Sequence, residues 1–255
     1  MHKVIFGLAI LLFFGCNSLE KELPVQIQLN SNWQFKGIDT LDWKSATVPG
    51  NIFTDLLSHK IIKDPFIKNN EEKVQWVANK SWKYKTTFSL SDATLKKENI
   101  NINFKGLDTY ATIFLNDTLL GHTNNAFKLF RFDIKKLAKK ENILEIIFKN
   151  TTDKEAIAKN KNSYKLPEGT RIYTRKAQFQ YGWDWAPKLN TSGIWKTVSI
   201  NAWNALKFEN IFIKQEEISK EKARLSVVLI IESLFDKNIS LFTKINGEVI
   251  SSNIQ

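Results

Sequence analysis

The sequence predicts an all-β protein built as a β-sandwich or barrel. Apolar and polar residues alternate in many short segments, which is the period of a half-buried strand. Polar turns separate these segments at roughly even spacing, as in sandwiches and barrels. The 8 tryptophans all lie between Trp33 and Trp203, so the composition changes after that point. We therefore expect one main β domain over residues 25–204 and a second β unit over 205–255.

Individual elements follow from the same patterns. A short helix is expected at 52–57, behind Pro49-Gly50, and an exposed helix at 152–161 inside a long polar connection. A further strand at 171–181 is expected to enter an aromatic loop. The remaining strands are expected at residues 25–29, 82–88, 100–104, 109–115, 127–134, 143–148 and 194–203.

The second unit shows plainer strand patterns at 208–214, 224–232 and 239–245. The dipeptide Asn246-Gly247 is a strong signal for a hairpin turn. An immunoglobulin-like sandwich needs about seven strands in about 100 residues. We therefore expect 205–255 to be the first half of an immunoglobulin-like β-sandwich, and the sequence to be the front part of a longer protein.

The first residues have the features of a targeting segment. The apolar run from Val4 to Phe14 is shorter than the about 20 residues that span a membrane, but it has the length of a signal-peptide core. It ends at Gly15-Cys16, which resembles a bacterial lipoprotein signal, and Cys16 is the single cysteine of the chain. Residues 1–16 are thus predicted to be a lipoprotein signal peptide and 17–24 a tether, with lipid on Cys16 as the membrane anchor. An ordinary secretory signal is the alternative.

Composition argues against several other functions. Without further cysteines the exported chain has no disulfide or thiolate site. His59 and His122, which we interpret as surface or turn residues, lack the neighbours of a zinc site, so no metal or cofactor is expected. The net charge is +11, yet only Arg131, Arg171, Arg175 and Arg224 are arginines among 37 basic residues. Lysines are spread without a dense patch or a nucleic-acid motif, so nucleic-acid binding is not expected.

The candidate binding residues are Trp183, Asp184 and Trp185, which lie between Gly182 and Pro187. Indole faces stack on the apolar faces of a sugar ring, and a fixed carboxylate accepts hydrogen bonds from its hydroxyls. Gly and Pro at the two ends indicate that the run leaves its strand as a loop. The alternative is that both indoles fill the sandwich core and Asp184 caps a turn.

A set of ordered motifs resembles the N-terminal domain of β-mannosidases of glycoside hydrolase family 2, over about residues 27–203. The sharpest matches are Arg175-Lys176-Ala177-Gln178, Gly182-Trp183-Asp184-Trp185 and Ser192-Gly193-Ile194-Trp195. Shorter matches are Ala46-Thr47-Val48-Pro49-Gly50, Asp64-Pro65-Phe66, Gln75-Trp76-Val77, Trp82-Lys83-Tyr84, Phe104-Lys105-Gly106-Leu107-Asp108-Thr109-Tyr110-Ala111, Phe114-Leu115-Asn116 and Asn125-Ala126-Phe127. Ala186 departs from the Gly that the family usually has there.

The resemblance implies a jelly-roll (galactose-binding-domain-like) β-sandwich, then an immunoglobulin-like domain, then a (β/α)₈ barrel that carries the chemistry. It implies an exo-acting retaining β-mannosidase that acts on mannose-containing oligosaccharides. The lipoprotein signal predicts that the protein is exported and anchored in a bacterial cell envelope, either in the periplasm or at the cell surface. Trp183, Asp184 and Trp185 would contact the terminal mannose. The alternatives are a non-catalytic carbohydrate-binding lipoprotein and a sister β-galactosidase or β-glucuronidase.

No catalytic residue is assigned within 1–255. Retaining glycosidases use two carboxyl groups about 5–5.5 Å apart, and the resemblance locates both on the barrel. Glu71-Glu72 and Glu216-Glu217 are sequence neighbours, and neighbouring strand residues point to opposite faces. The 192–195 and 106–109 segments are interpreted as structural. Arg175 and Lys176 are expected either to pair with carboxylates at a domain interface or to lie on a solvated strand face. The chain alone is expected to be inactive.

Overall fold

The computed structural model describes residues 23–164, 166–167, 169–233, 239–245 and 248–254. Cys16 and nearly all of the predicted tether lie outside these residues, so the signal peptide and its lipid site stay predictions. Within the described ranges, the helices are too short or too polar for any of them to traverse a bilayer.

Strands dominate the chain, and every paired strand is antiparallel to its neighbour. The strands are β1 Val25–Gln28, β2 Gln34–Gly37, β3 Lys44–Ser45, β4 Trp82–Ser89, β5 Asn99–Phe104, β6 Leu107–Asp108, β7 Ala111–Leu115, β8 Thr118–His122, β9 Phe130–Asp133, β10 Glu141–Phe148, β11 Gly193–Ile194, β12 Val198–Trp203, β13 Leu206–Ile218, β14 Ala223–Ser233, β15 Ile239–Ile245 and β16 Glu248–Ile254. The α-helices are α1 Ile52–Ser58, α2 Asn70–Lys73, α3 Asp92–Lys96 and α4 Thr151–Lys161, and 3₁₀ turns occupy Gln75–Val77, Arg171–Tyr173 and Gln178–Tyr181.

Two sheets form the sandwich. The six-stranded sheet has the order β3-β2-β4-β10-β7-β8, and the four-stranded sheet has the order β1-β12-β5-β9. Alternate residues of β4 and β10 are buried, among them Tyr84 and Ile146, while Ile102 and Ile200 come from the other sheet; all four are 0–1% exposed. One continuous apolar core joins the two sheets. The all-β sandwich prediction is therefore confirmed.

The predicted strand at 171–181 is wrong, because this stretch holds two 3₁₀ turns joined by an extended segment. Its polar side chains Lys176 and Gln180 are buried and bond to Asn190 and to Asp108 of β6, respectively. The predicted strand at 194–203 is also interrupted, since Gly193–Ile194 pairs with β6 in a separate ladder. Helix α4 is less exposed than expected, because Glu155 is buried.

After Trp203 the chain forms the long hairpin β13-β14 and the hairpin β15-β16. Ile245 pairs with Glu248, which leaves two residues for the predicted Asn246-Gly247 turn; these two lie outside the described residues. The strand content over 205–255 matches the expectation, and completion into an immunoglobulin-like sandwich stays a prediction.

Candidate functional site

The Trp183-Asp184-Trp185 run forms the tip of a tight projecting turn, which we call the aromatic finger (residues 182–187). The Trp183 N–H donates to the Ala186 carbonyl at 3.0 Å, and the Ala186 N–H donates back to Trp183 at 3.2 Å. Gly182 enters the finger with φ +88°, a conformation that L side chains rarely adopt. Ala186 is not among the residues with positive φ, so alanine fits where the family usually has glycine.

The finger side chains face solvent. Trp183 is 51% exposed, Trp185 is 82% exposed, and Asp184 is exposed between them. The centroids of the two indole rings lie 5.9 Å apart and the ring planes meet at 60°, an edge-to-face arrangement. The Arg171 guanidinium lies 5.8 Å from the Trp183 ring centroid, within cation–π distance. The core-filling alternative for these tryptophans is wrong, while their contact with substrate stays a prediction.

The base of the finger is a buried polar network centred on Lys176. Its ammonium donates to Asn190 Oδ1 and to the Thr191 carbonyl, each at 2.6 Å, and lies 3.3 Å from Asp108 Oδ1. Three oxygens thus match the three N–H donors of a protonated amine. Burial lowers the pKa of Lys176, and the Asp108 carboxylate opposes that shift.

Gln180, which like Lys176 precedes the finger, completes this network. Its amide nitrogen donates to Asp108 Oδ2 at 3.0 Å, and its amide oxygen accepts from the Thr191 N–H at 3.1 Å. Asp108 therefore holds Lys176 and Gln180, which precede the finger, and both of these bond to Thr191, which follows it. Lys176 was expected to lie at a domain interface or on a solvated strand face. Both expectations are wrong, because the Lys176–Asp108 ion pair is buried inside this domain. Arg175 is exposed.

A second, partly buried contact holds Tyr181, the residue just before Gly182. The Tyr181 hydroxyl donates to one carboxylate oxygen of Glu155 on α4, and Thr170 donates to the other at 2.8 Å. Burial, and then the bond to Glu155, raises the pKa of Tyr181 well above its ordinary value. The Glu71 carboxylate accepts from the Lys188 N–H at 2.7 Å, which ties the far side of the finger to α2.

An apolar cavity of about 380 Å³ lies beside the finger. Pro187 and Phe179 line it on the finger side, and Phe53, Leu57 and Phe66 line the opposite wall. The Asn51 side chain, which accepts from the Phe53 and Thr54 N–H groups, caps α1 at this wall.

The segments interpreted as structural do hold the site together. Gly193 pairs with Asp108, and a Cβ on Gly193 would lie 3.0 Å from Asn51 Cα. The Trp195 indole lies directly over Gly106 and donates to the Ala126 carbonyl at 2.8 Å.

Other candidates for chemistry are separate from the finger. His59 caps the end of α1 with its ring against Ser45, and His122 is exposed at the end of β8. Within the described ranges, no group of three or more His, Cys, Asp or Glu side chains is arranged to hold a metal ion. Glu216 and Glu217 make ion pairs with Lys214 and Lys222 on the β13-β14 hairpin.

Sequence reasoning missed Asp108, Glu155, Gln180 and Asn190 as parts of the site. Asp108 and Gln180 are 72 residues apart, and a single sequence carries no signal for such a contact.

Comparisons with known proteins agree with this architecture. Residues 33–196 match the family model for the glycosyl hydrolase 2 galactose-binding domain-like domain. The chain is 32% identical to a Bos taurus β-mannosidase over 206 residues, covering 76% of this chain and 23% of that protein. It is 32% identical to β-mannosidase B of Thermothelomyces thermophilus, covering 84% of this chain and 26% of that protein.

The chain is also similar to solved structures. A β-D-mannosidase from Dictyoglomus thermophilum superimposes with a TM-score of 0.83 at 31% identity, covering 90% of this chain and 29% of that one. A β-D-glucuronidase from the same organism shares the fold with a TM-score of 0.57 at 18% identity, covering 92% of this chain and 37% of that one. The chain thus spans about a quarter of the length of the curated relatives. It belongs to the glycosyl hydrolase 2 galactose-binding domain-like family, and the relatives that it matches are glycoside hydrolases.

Proposed function

We propose that the full-length protein is an exo-acting retaining β-mannosidase, and that this chain is its N-terminal, substrate-contacting part. The observation that carries the proposal is the exposed aromatic finger, with Asp184 between two indoles on a buried polar base. Similarity to proteins named β-mannosidase, at 31–32% identity over most of this chain, favours mannose over other sugars.

In this proposal the finger binds the terminal mannosyl unit and leaves the bond cleavage to another domain. The exposed side chains of Trp183 and Trp185 offer an indole face to the C–H side of the sugar. The Asp184 carboxylate accepts hydrogen bonds from sugar hydroxyls. The two carboxyl groups of a retaining mechanism, about 5–5.5 Å apart, belong to a barrel domain that is not within residues 1–255.

The test is Asp184→Asn in the full-length protein, assayed with an aryl β-mannoside. A hydrogen bond to a charged group contributes about 1.5–3 kcal/mol, so kcat/KM is expected to fall about 10- to 150-fold. Thermal stability is expected to stay unchanged, because the carboxylate is exposed. Asp117→Asn, in the exposed β7-β8 turn, is the matched control and should keep full activity.

Near-normal kinetics for Asp184→Asn would count against the finger as the substrate contact. Greater activity of the wild-type protein on an aryl β-galactoside or β-glucuronide than on the mannoside would assign it to a sister specificity. The 255-residue chain serves in the same assay and is expected to show no hydrolysis; clear activity from it would show that it is catalytic by itself.

We also propose that the mature protein is anchored in a bacterial cell envelope by lipid on Cys16. The support is the apolar run that ends at the single cysteine of the chain. Such an anchor would hold the enzyme at the membrane without a spanning helix.

A further inference from the structure

Helix α4 (Thr151–Lys161) is attached to the sandwich by polar side chains. Its buried residues are Thr151 and Glu155, which lie one turn apart and therefore share the face that points to the protein body. Its one large apolar side chain, Ile157, is 50% exposed. Glu155 is 1% exposed, although a carboxylate is costly to bury without partners. The helix thus buries an acid on the face where a surface helix usually buries apolar residues.

The partners of Glu155 lie at the two ends of the stretch that leads into the aromatic finger. Thr170, just before the first 3₁₀ turn, donates to one carboxylate oxygen at 2.8 Å. Tyr181, the last residue of the second 3₁₀ turn, donates to the other oxygen. One carboxylate therefore holds both ends of residues 170–181.

Other contacts join α4 to its surroundings. Asn162, at the C-terminal cap of α4, donates from its side-chain amide to the Tyr173 hydroxyl at 3.1 Å, within the same stretch. At the other end of the helix, the Asn150 side-chain amide donates to the Asn79 carbonyl at 2.9 Å. Because α4 is tied at both ends, Glu155 is presented to its partners from a helix that is itself held in place.

Glu155 also contributes to the electrostatics of the buried base. Burial lowers the pKa of Lys176, and the carboxylates of Asp108 and Glu155 both oppose that shift. Burial, and then the bond to Glu155, raises the pKa of Tyr181 well above its ordinary value. The Tyr181 hydroxyl therefore keeps its proton at neutral pH and remains a donor to Glu155.

We propose that Glu155 is a positioning residue for the aromatic finger and acts through the Tyr181 hydroxyl. Gly182, with φ +88°, follows Tyr181 directly and begins the finger. A glycine leaves the backbone free to turn, so the direction in which Trp183 projects depends on how firmly Tyr181 is held. The inference rests on the proposed function, in which the finger contacts the substrate, and it gives Glu155 no part in bond cleavage.

The test compares Glu155→Met, Tyr181→Phe and the double variant in the full-length protein, with an aryl β-mannoside as substrate. Each single variant is expected to raise KM about 2- to 10-fold and to change kcat by less than about twofold, because ordering of the finger is then left to the binding step. The double variant should raise KM no further, since both changes remove the same contact. A purely structural role would instead lower kcat at an unchanged KM, because fewer molecules would be folded.

Glu155→Gln is the conservative variant. Its amide oxygen can accept from Tyr181, and its amide nitrogen can donate to the Thr170 hydroxyl, which accepts as well as donates. KM for this variant is therefore expected to stay within about twofold of wild type. Asp153→Asn, which changes an exposed acid on the same helix, is the matched control and should leave both KM and kcat unchanged.

Trypsin provides a readout that needs no substrate. Arg175 and Lys188 are exposed basic residues on either side of the finger, and cleavage after them requires the chain to open locally. Glu155→Met and Tyr181→Phe should each speed cleavage at these sites at least about threefold in the folded full-length protein. Asp153→Asn should not change the rate, and mass spectrometry identifies the cleavage sites.

Asp184→Asn separates this role from the proposed function. If Asp184→Asn keeps normal kinetics while Glu155→Met speeds cleavage, the finger is positioned by Glu155 but the proposed substrate contact is wrong. Unchanged cleavage in both Glu155→Met and Tyr181→Phe overturns the role of Glu155, whatever Asp184→Asn shows. An unchanged KM for these two variants, when Asp184→Asn loses activity, overturns it as well, as does a double variant whose KM rises by the product of the two single effects.

Discussion

Replacing Lys176 with methionine removes the buried cation beneath the aromatic finger, together with its hydrogen bonds to Asn190 and to the Thr191 carbonyl. The Lys176 side chain has no exposed surface, so solvent does not screen the loss of its charge. Methionine is unbranched and flexible, and therefore fills much of the same space. The Asp108 carboxylate, 6% exposed, is then left in the interior without its counter-charge.

The cost follows from the remaining contacts of Asp108. Removing one partner of a buried ion pair typically costs about 3–5 kcal/mol. Asp108 keeps hydrogen bonds from Thr109 and Gln180, so the lower end, about 3 kcal/mol, is expected. At about 2–4 °C per kcal/mol for a domain of this size, the melting temperature should fall by about 6–12 °C.

The assay is urea unfolding of the wild type, Lys176→Met, Asp108→Asn and the double variant, followed by tryptophan fluorescence. The double variant should recover part of the loss, with a coupling free energy of about 1–3 kcal/mol, because no unpaired carboxylate remains. Lys188→Met, an exposed lysine beside the finger, is the control and should change stability by less than about 0.5 kcal/mol.

Two results would refute this reasoning. One is a Lys176→Met protein that unfolds within about 1 kcal/mol of wild type, well below the usual cost of breaking a buried pair. The other is a double variant no more stable than Lys176→Met, which would show that the amine and Asp108 do not interact.

The remaining predictions concern alkaline pH and membrane attachment. The pKa of Tyr181 is raised above its ordinary value of 10.0 in the folded protein, so the unfolded state loses this proton first and stability falls as pH rises above about 10. Tyr181→Phe should flatten the decline by up to about 1.36 kcal/mol per pH unit, measured by urea unfolding at several pH values; an unchanged slope would contradict it. Cys16→Ser in the full-length protein should move it from the detergent phase to the aqueous phase on phase partitioning, and retention in the detergent phase would exclude the lipid anchor.

The sandwich was predictable because the core strands carry their own pattern. Along Trp82–Ser89 and Glu141–Phe148 every second residue is buried, and each strand lies between two neighbours in the six-stranded sheet. Burial therefore alternates from one residue to the next along each strand, and the same alternation of apolar and polar residues can be seen in the sequence. The finger was predictable for a similar local reason, since Gly182 and Pro187 mark the ends of one short loop.

The base of the finger could not be predicted in this way. The segment 171–181 also alternates, yet its buried members include Lys176 and Gln180, whose partners come from β6 and from residues 190–191. The free energy that bends this segment into 3₁₀ turns comes from satisfying buried polar groups, not from apolar periodicity. An alternating sequence pattern carries no information about the hydrogen-bond partners of buried polar side chains. The alternation in 171–181 has the period of a strand, so the sequence predicted a strand there.

The buried base explains how an exposed finger can have a defined shape. Trp183 and Trp185 gain little from the core, so their placement depends on the residues at both ends of the loop. Lys176 and Gln180 before the loop both contact Asp108 and both bond to Thr191 after the loop. Asp108 belongs to the ladder of β6 with β11. The next contacts, Ile52 N–H to the Ser192 carbonyl and Gly50 N–H to the Ile194 carbonyl, connect that ladder to α1.

A loop fixed in this way loses less conformational entropy when it binds a ligand, and such pre-organisation raises affinity without any added contact. Conversely, loosening the base would weaken binding even if both indoles and Asp184 were intact. The Lys176→Met protein therefore distinguishes two hypotheses about the role of the finger. If the finger binds mannose as a pre-organised unit, KM for an aryl β-mannoside rises in the full-length variant at temperatures where it is still folded. If the finger does not contact the substrate, the free energy of unfolding falls and KM does not change.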